Sequence, residues 1–141
     1  MDESRRRSWV LPVVLLGIAY AGVGILFAVP TTHAHAWRLA AWAVCAVGYG
    51  AHILYERFRL GNSSGTAALH VALAAGLGGF GLAVGANVHE LFVEATSQHQ
   101  RLLLLSLGIW PIVTALPAFV VALVVNLVLP RSRREMGGSR S

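Results

Sequence analysis

Long apolar runs alternate with short polar breaks along the chain. The runs cover residues 9–29, 37–55, 66–88 and 102–129. As helices rising about 1.5 Å per residue, each is long enough to cross a hydrocarbon layer of roughly 30 Å. The breaks carry turn chemistry: Pro30-Thr31-Thr32, then Gly61-Asn62-Ser63-Ser64-Gly65, then a polar stretch over 94–101. Trp9, Trp37, Tyr55 and Phe92 fall near the ends of runs, as aromatic residues do at a membrane interface. The pattern predicts an all-α integral membrane protein, a four-transmembrane-helix antiparallel bundle with short connections. The membrane domain is 9–129, flanked by polar, basic tails at 1–8 and 130–141.

Two spans carry further detail. Span three holds a GxxxG pair, Gly81 and Gly85, and a ladder of small residues at Ala68, Ala72 and Gly76. Small residues let helix backbones approach closely in lipid, and here they cover more than one face, so span three is expected at the centre of the bundle. The same faces suit a homo-oligomer or another membrane protein as partner. Span four contains Pro111 and Pro117, each of which removes a backbone donor and favours a kink. Neighbouring helices or Thr114 are the expected partners of the freed carbonyls.

Composition agrees with the membrane class and charge adds orientation. Only 12% of the 141 residues are charged and 56% are hydrophobic, against a charged share of about 25% in soluble domains. There is no lysine. Nine of the 11 basic residues, Arg5, Arg6, Arg7, Arg57, Arg59, Arg131, Arg133, Arg134 and Arg140, lie on one side of a four-span topology. Arg38 and Arg101 lie on the other, near Glu90 and Glu94. The positive-inside rule then puts both termini in the cytoplasm (N-in/C-in), and the expected location is the inner membrane of a bacterium. It also accounts for the basic balance without nucleic acid as a partner; the lipid bilayer is the partner the pattern implies. The single cysteine, Cys45, lies within an apolar run, which excludes an intrachain disulfide or a CxxC redox pair.

Polar residues inside the spans are the candidates for chemistry, because such groups are expensive in lipid unless paired. His52 precedes Arg57 by five residues, His70 lies soon after the Ser63-Ser64 turn, and Asn126 precedes Arg131 by five. Helical rise puts all three at similar depth, and Glu56 shares the face of His52. This layer of His52, Glu56, His70 and Asn126 has three competing readings. It is an interhelical hydrogen-bond layer, a haem b or metal site in which two imidazoles ligate and Glu56 orients His52, or a proton relay in a small transporter.

A second group lies on the opposite side. His33 and His35 belong to the first loop, and His89, Glu90, Glu94 and His99 to the end of span three and the third loop. Imidazole and carboxylate together suit zinc or another divalent metal, although polar residues at a wet interface need no ligand to explain them. His89 follows His70 by 19 residues, about 100° round the helix, so the two groups form no continuous stripe. Ala34-His35-Ala36 also matches the A-x-A of a signal-peptide cleavage site. The preceding run of about 20 residues exceeds the roughly 7–15 of a signal h-region, so the first span is expected to be retained.

No phosphate loop, HExxH or GxSxG motif is present, and Ser106 and Thr114 have no evident base. The sequence therefore favours a non-catalytic membrane subunit or interaction module. A haem- or metal-binding redox protein using His52 and His70 is the alternative, and a small transporter the second.

Overall fold

The computed structural model describes residues 9–28, 32–90, 92 and 97–129, with the side chains of residues 90 and 97–99 outside that description. Among the described residues the chain is helical and contains no strand. Helix α1 is Val10–Ala28 and α2 is Ala34–Leu54, which continues into a π-helical turn, Tyr55–Arg59. Helix α3 is Ser64–Glu90 and α4 is Ser97–Val128. Three of the four helices are long and apolar enough to cross a membrane: α1, α3 over Ser64–His89, and α4 over Gln100–Val128. Helix α2 has 21 residues but is diluted by His35, Arg38, Tyr49 and His52.

Two helix starts differ from the apolar pattern. Helix α2 begins at Ala34 rather than Trp37, so His35 belongs to its first turn, and α4 begins at Ser97 rather than 102. Hydropathy marks where a helix becomes apolar, whereas backbone hydrogen bonding extends the helix past that point. The tails at 1–8 and 130–141, with their arginines, lie outside the described residues.

Helix α3 is central, packed between α1 and α4, and its small residues explain how. Gly78, Gly81 and Gly85 face Tyr20, Ala21 and Ile25 of α1, while Gly17 of α1 faces Leu77. The numbers rise together, so α1 and α3 run parallel. Gly76 and Gly79 face Ala115 and Thr114 on antiparallel α4. A Cβ on Gly76 would lie 3.4 Å from the Pro111 carbonyl oxygen, and one on Gly79 would lie 3.0 Å from that of Trp110. These helices approach backbone to side chain, which gains dispersion contacts where lipid offers no hydrophobic drive. The Gly81/Gly85 pair is thus used within the chain, against α1.

Helix α2 sits at the edge. It leans on α1, where Gly48 meets Tyr20 and Trp37 packs edge-on against Phe27 at 5.7 Å. The sequence pattern predicts α2 and α3 as neighbours along their length. They meet chiefly near their shared turn, where Ile53 joins Ala68, Val71 and Ala122 in the core. Elsewhere α2 faces outward, with Trp42 77% and Val47 74% exposed. The reason is that α1 occupies the glycine face of α3 and α4 occupies the other.

Polar side chains fasten α3 to α4 at both ends. Asn87 Nδ2 donates to the Leu103 carbonyl at 2.9 Å, and the Ser64 hydroxyl donates to the Asn126 carbonyl at 3.4 Å. Pro111 and Pro117 both lie within α4, which is assigned as one helix. The Thr114 hydroxyl donates to Trp110 and Pro111 carbonyls, not to the carbonyls that lie four residues before the prolines.

The glycines supply a test with opposite signs. A Cβ added at Gly78 would lie 2.7 Å from Tyr20 Cβ, whereas at Gly108 it meets nothing within 4 Å. Gly78→Ala should lower stability by about 1–3 kcal/mol through overpacking. Gly108→Ala should be neutral or add up to about 1 kcal/mol by restricting the unfolded backbone. Thermal unfolding of the two variants in one detergent checks the pair.

Candidate functional site: a buried histidine–carboxylate cluster

The polar cluster is built where α2 stops and α3 begins. The π-helical turn widens the end of α2, and Leu60 N–H donates to the Tyr55 carbonyl across it. Gly61 then takes a left-handed φ of 63°, and Asn62 N–H donates back to the Glu56 carbonyl at 3.3 Å. This is a wide form of the glycine-ended helix stop. Ser63 caps α3, its Oγ accepting from Thr66 N–H at 3.3 Å. The chain therefore reverses within a few residues, and both sides of the reversal carry polar groups toward the same point.

At that point lies Glu56, whose side chain is fully buried. Asn62 Nδ2 donates to its Oε2 at 2.6 Å. His70 Nδ1 lies 3.1 Å from both carboxylate oxygens. His52 Nε2 lies 3.6 Å from Oε1, an ion-pair separation too long for a hydrogen bond. The side chains of His52 and Glu56 have 0% exposure and that of His70 has 9%. Trp9, just before α1, covers His70 in a flat stack, with ring centroids 4.5 Å apart and planes 4° from parallel. The cluster thus draws residues from the start of α1, the end of α2, the intervening turn and the start of α3.

The fourth member of the expected layer behaves differently. Asn126 is fully buried on α4, but its Nδ2 donates to the Ala122 carbonyl of its own helix at 2.8 Å. Its Oδ1 and both ring nitrogens of His52 have no hydrogen-bond partner. His52, Glu56 and His70 are therefore brought together, while Asn126 lies at the same end of the bundle without a hydrogen bond to them. Sequence reasoning missed three participants. Trp9 read as an interfacial aromatic, Asn62 as a turn residue, and Arg57 as a positive flank. Arg57 Nη2 in fact donates to the Leu129 carbonyl at 3.0 Å, satisfying the end of α4. Depth counting from the chain reversals would have placed Trp9 level with His70; nothing local marks the other two.

The second expected cluster is dispersed or undescribed. His33 sits in a left-handed conformation, φ 57°, at the N-cap of α2 and makes no capping hydrogen bond. His33, His35 and His89 are exposed. The side chains of Glu90, Glu94 and His99 lie outside the described residues. Among the described residues, no three His, Cys, Asp or Glu side chains are arranged to hold a metal ion. In the inner cluster both imidazoles are directed at one carboxylate rather than at a common open position.

What this arrangement does is tie the helix ends together through one buried carboxylate. The chain matches no family model, no curated protein and no solved structure.

Removing the carboxylate should be the most damaging single change at this end. Glu56→Ala leaves the half-buried Asn62 and the buried His70 without their acceptor and should cost about 3–5 kcal/mol. Asn62→Ala, which removes one of several donors, should cost about 1–2 kcal/mol. Thermal unfolding of the three proteins in one detergent orders them, and equal stabilities would contradict the central place given to Glu56.

Proposed function

We propose that this chain is a four-span membrane protein with both termini in the cytoplasm of a bacterium, serving as a non-catalytic subunit or interaction module of the inner membrane. One observation carries the reading. The polar side chains at one end of the bundle bond within it, Asn62 and His70 to the Glu56 carboxylate and Asn126 to a carbonyl of its own helix, while the helices present large apolar side chains outward, among them Leu26, Trp42, Leu104, Leu116 and Leu127. Such a surface meets lipid or another membrane helix, and among the described residues it offers no nucleophile beside a base.

Two further facts support the topology. Helix α2 is level with its neighbours at both ends, through Trp37 on Phe27 at one and His52 near Glu56 and His70 at the other. A helix spanning the same depth as α1 is the simplest fourth span. Trp9, the 60–63 turn and Leu129 also meet at one end, and nine arginines flank those segments in sequence. A transporter would need a polar path through the middle of the bundle. There the hydroxyls of Tyr49 and Thr114 bond to carbonyls within α4 and the buried Tyr20 hydroxyl has no hydrogen-bond partner, so among the described residues these groups form no hydrogen-bonded chain.

Reporter fusions test the topology. A cytoplasm-specific reporter should be active when fused after residue 141 or in the 61–63 turn, and inactive in the 31–33 connection. Activity in the 31–33 connection as well as in the turn and at the C-terminus would remove α2 from the membrane. For the subunit role, the tagged protein in mild detergent extracts of its native membrane should migrate above its monomer on a native gel. A strictly monomeric species there overturns it.

A further inference from the structure

The Glu56 cluster carries a charge balance that the fold alone does not fix. An ionised carboxylate at 0% exposure needs a positive partner nearby. Two neutral imidazoles leave it uncompensated, and two imidazoliums overcompensate. One proton shared over the pair brings the cluster to neutrality. Among the described residues, the surrounding elements place no other charged group against the carboxylate. Trp9 faces it from the start of α1, Asn62 from the turn, and Asn126 is buried at the same end of α4. Arg57, next in sequence, directs its Nη2 to the Leu129 carbonyl.

The two imidazoles are not equivalent. His52 is sealed from solvent and neither ring nitrogen has a hydrogen-bond partner. His70 keeps a solvent edge of 9%, places Nδ1 3.1 Å from both carboxylate oxygens, and lies flat on Trp9. An imidazolium in that position donates a charge-assisted hydrogen bond to the carboxylate and gains cation–π attraction from the indole face.

We propose that the cluster is a proton-binding site, in which a proton from solvent enters at His70 and is held between the Glu56 carboxylate and the face of Trp9. This goes beyond the membrane role above and does not depend on what the protein assembles with. Loading forms one N–H bond on the His70 ring at the expense of hydronium and involves no other bond change. The loaded cluster draws together the start of α1, the end of α2 and the start of α3. Releasing the proton leaves the buried carboxylate without its cation and loosens that end of the bundle.

Trp9 is a built-in reporter, because an imidazolium in face contact accepts an electron from excited indole more readily than a neutral imidazole does. The Trp9 emission, taken as full-length wild type minus W9F in the same detergent, should fall as pH is lowered from about 8 to about 5. The fall should vanish in H70Q and persist in H52Q. A Trp9 emission that is flat with pH in the wild type, or a fall that survives in H70Q, overturns the proposal. Should H70Q fail to fold, histidine ring-nitrogen NMR of the wild type reads the proton directly. A buried histidine should pass from one protonated nitrogen to two over that range, and the absence of any such ring is equally fatal.

Discussion

A carboxylate with no solvent contact, placed where helices converge, restricts everything around it. Glu56 is fully buried, and an ion so placed is tolerated only when donors and a balancing charge surround it. Asn62 can donate only if the chain reverses immediately after the π-helical turn, which requires the left-handed Gly61. His70 reaches the carboxylate only if α3 starts at once and presents its second turn. Trp9 can cover His70 only if α1 lies parallel against α3. Each demand fixes the position of one helix end relative to the same two oxygen atoms.

The glycine faces of α3 are the apolar counterpart of that constraint. Gly78, Gly81 and Gly85 admit α1 and Gly76 and Gly79 admit α4, so α3 has two close partners along its length. Helix α2 has no such groove available and is held by Trp37 at one end, by Gly48 on Tyr20 and Tyr49 on the Ala118 carbonyl, and by the His52–Glu56 turn at the other end. An edge helix tied by such contacts moves with less loss of packing than one seated in a groove. It is also the helix whose terminus carries the carboxylate.

The end of α4 is joined to the same region by separate means. Its terminal carbonyls accept from Arg57 and Ser64, which flank the turn on either side. Arginine at that place has a charge that suits the negative end of a helix. The turn between α2 and α3 is thus the meeting point of all four helices.

The apolar runs and the turn chemistry between them were readable from local sequence, because segment length and the cost of exposing backbone in lipid leave helices as the main solution. Equal depth for His52, His70 and Asn126 was also readable, since rise per residue is fixed. The same holds for a central α3, since small residues on two faces imply two neighbours. What no local signal contained was direction around each helix axis and distance between helices. Those decide that His52 and His70 converge on Glu56 while Asn126 turns back to its own helix, and that Trp9 stacks on His70. They also decide that α2 lies at the edge. Depth follows from counting residues along one chain segment, whereas contact follows from how several segments pack at once, and only the tertiary structure holds that information.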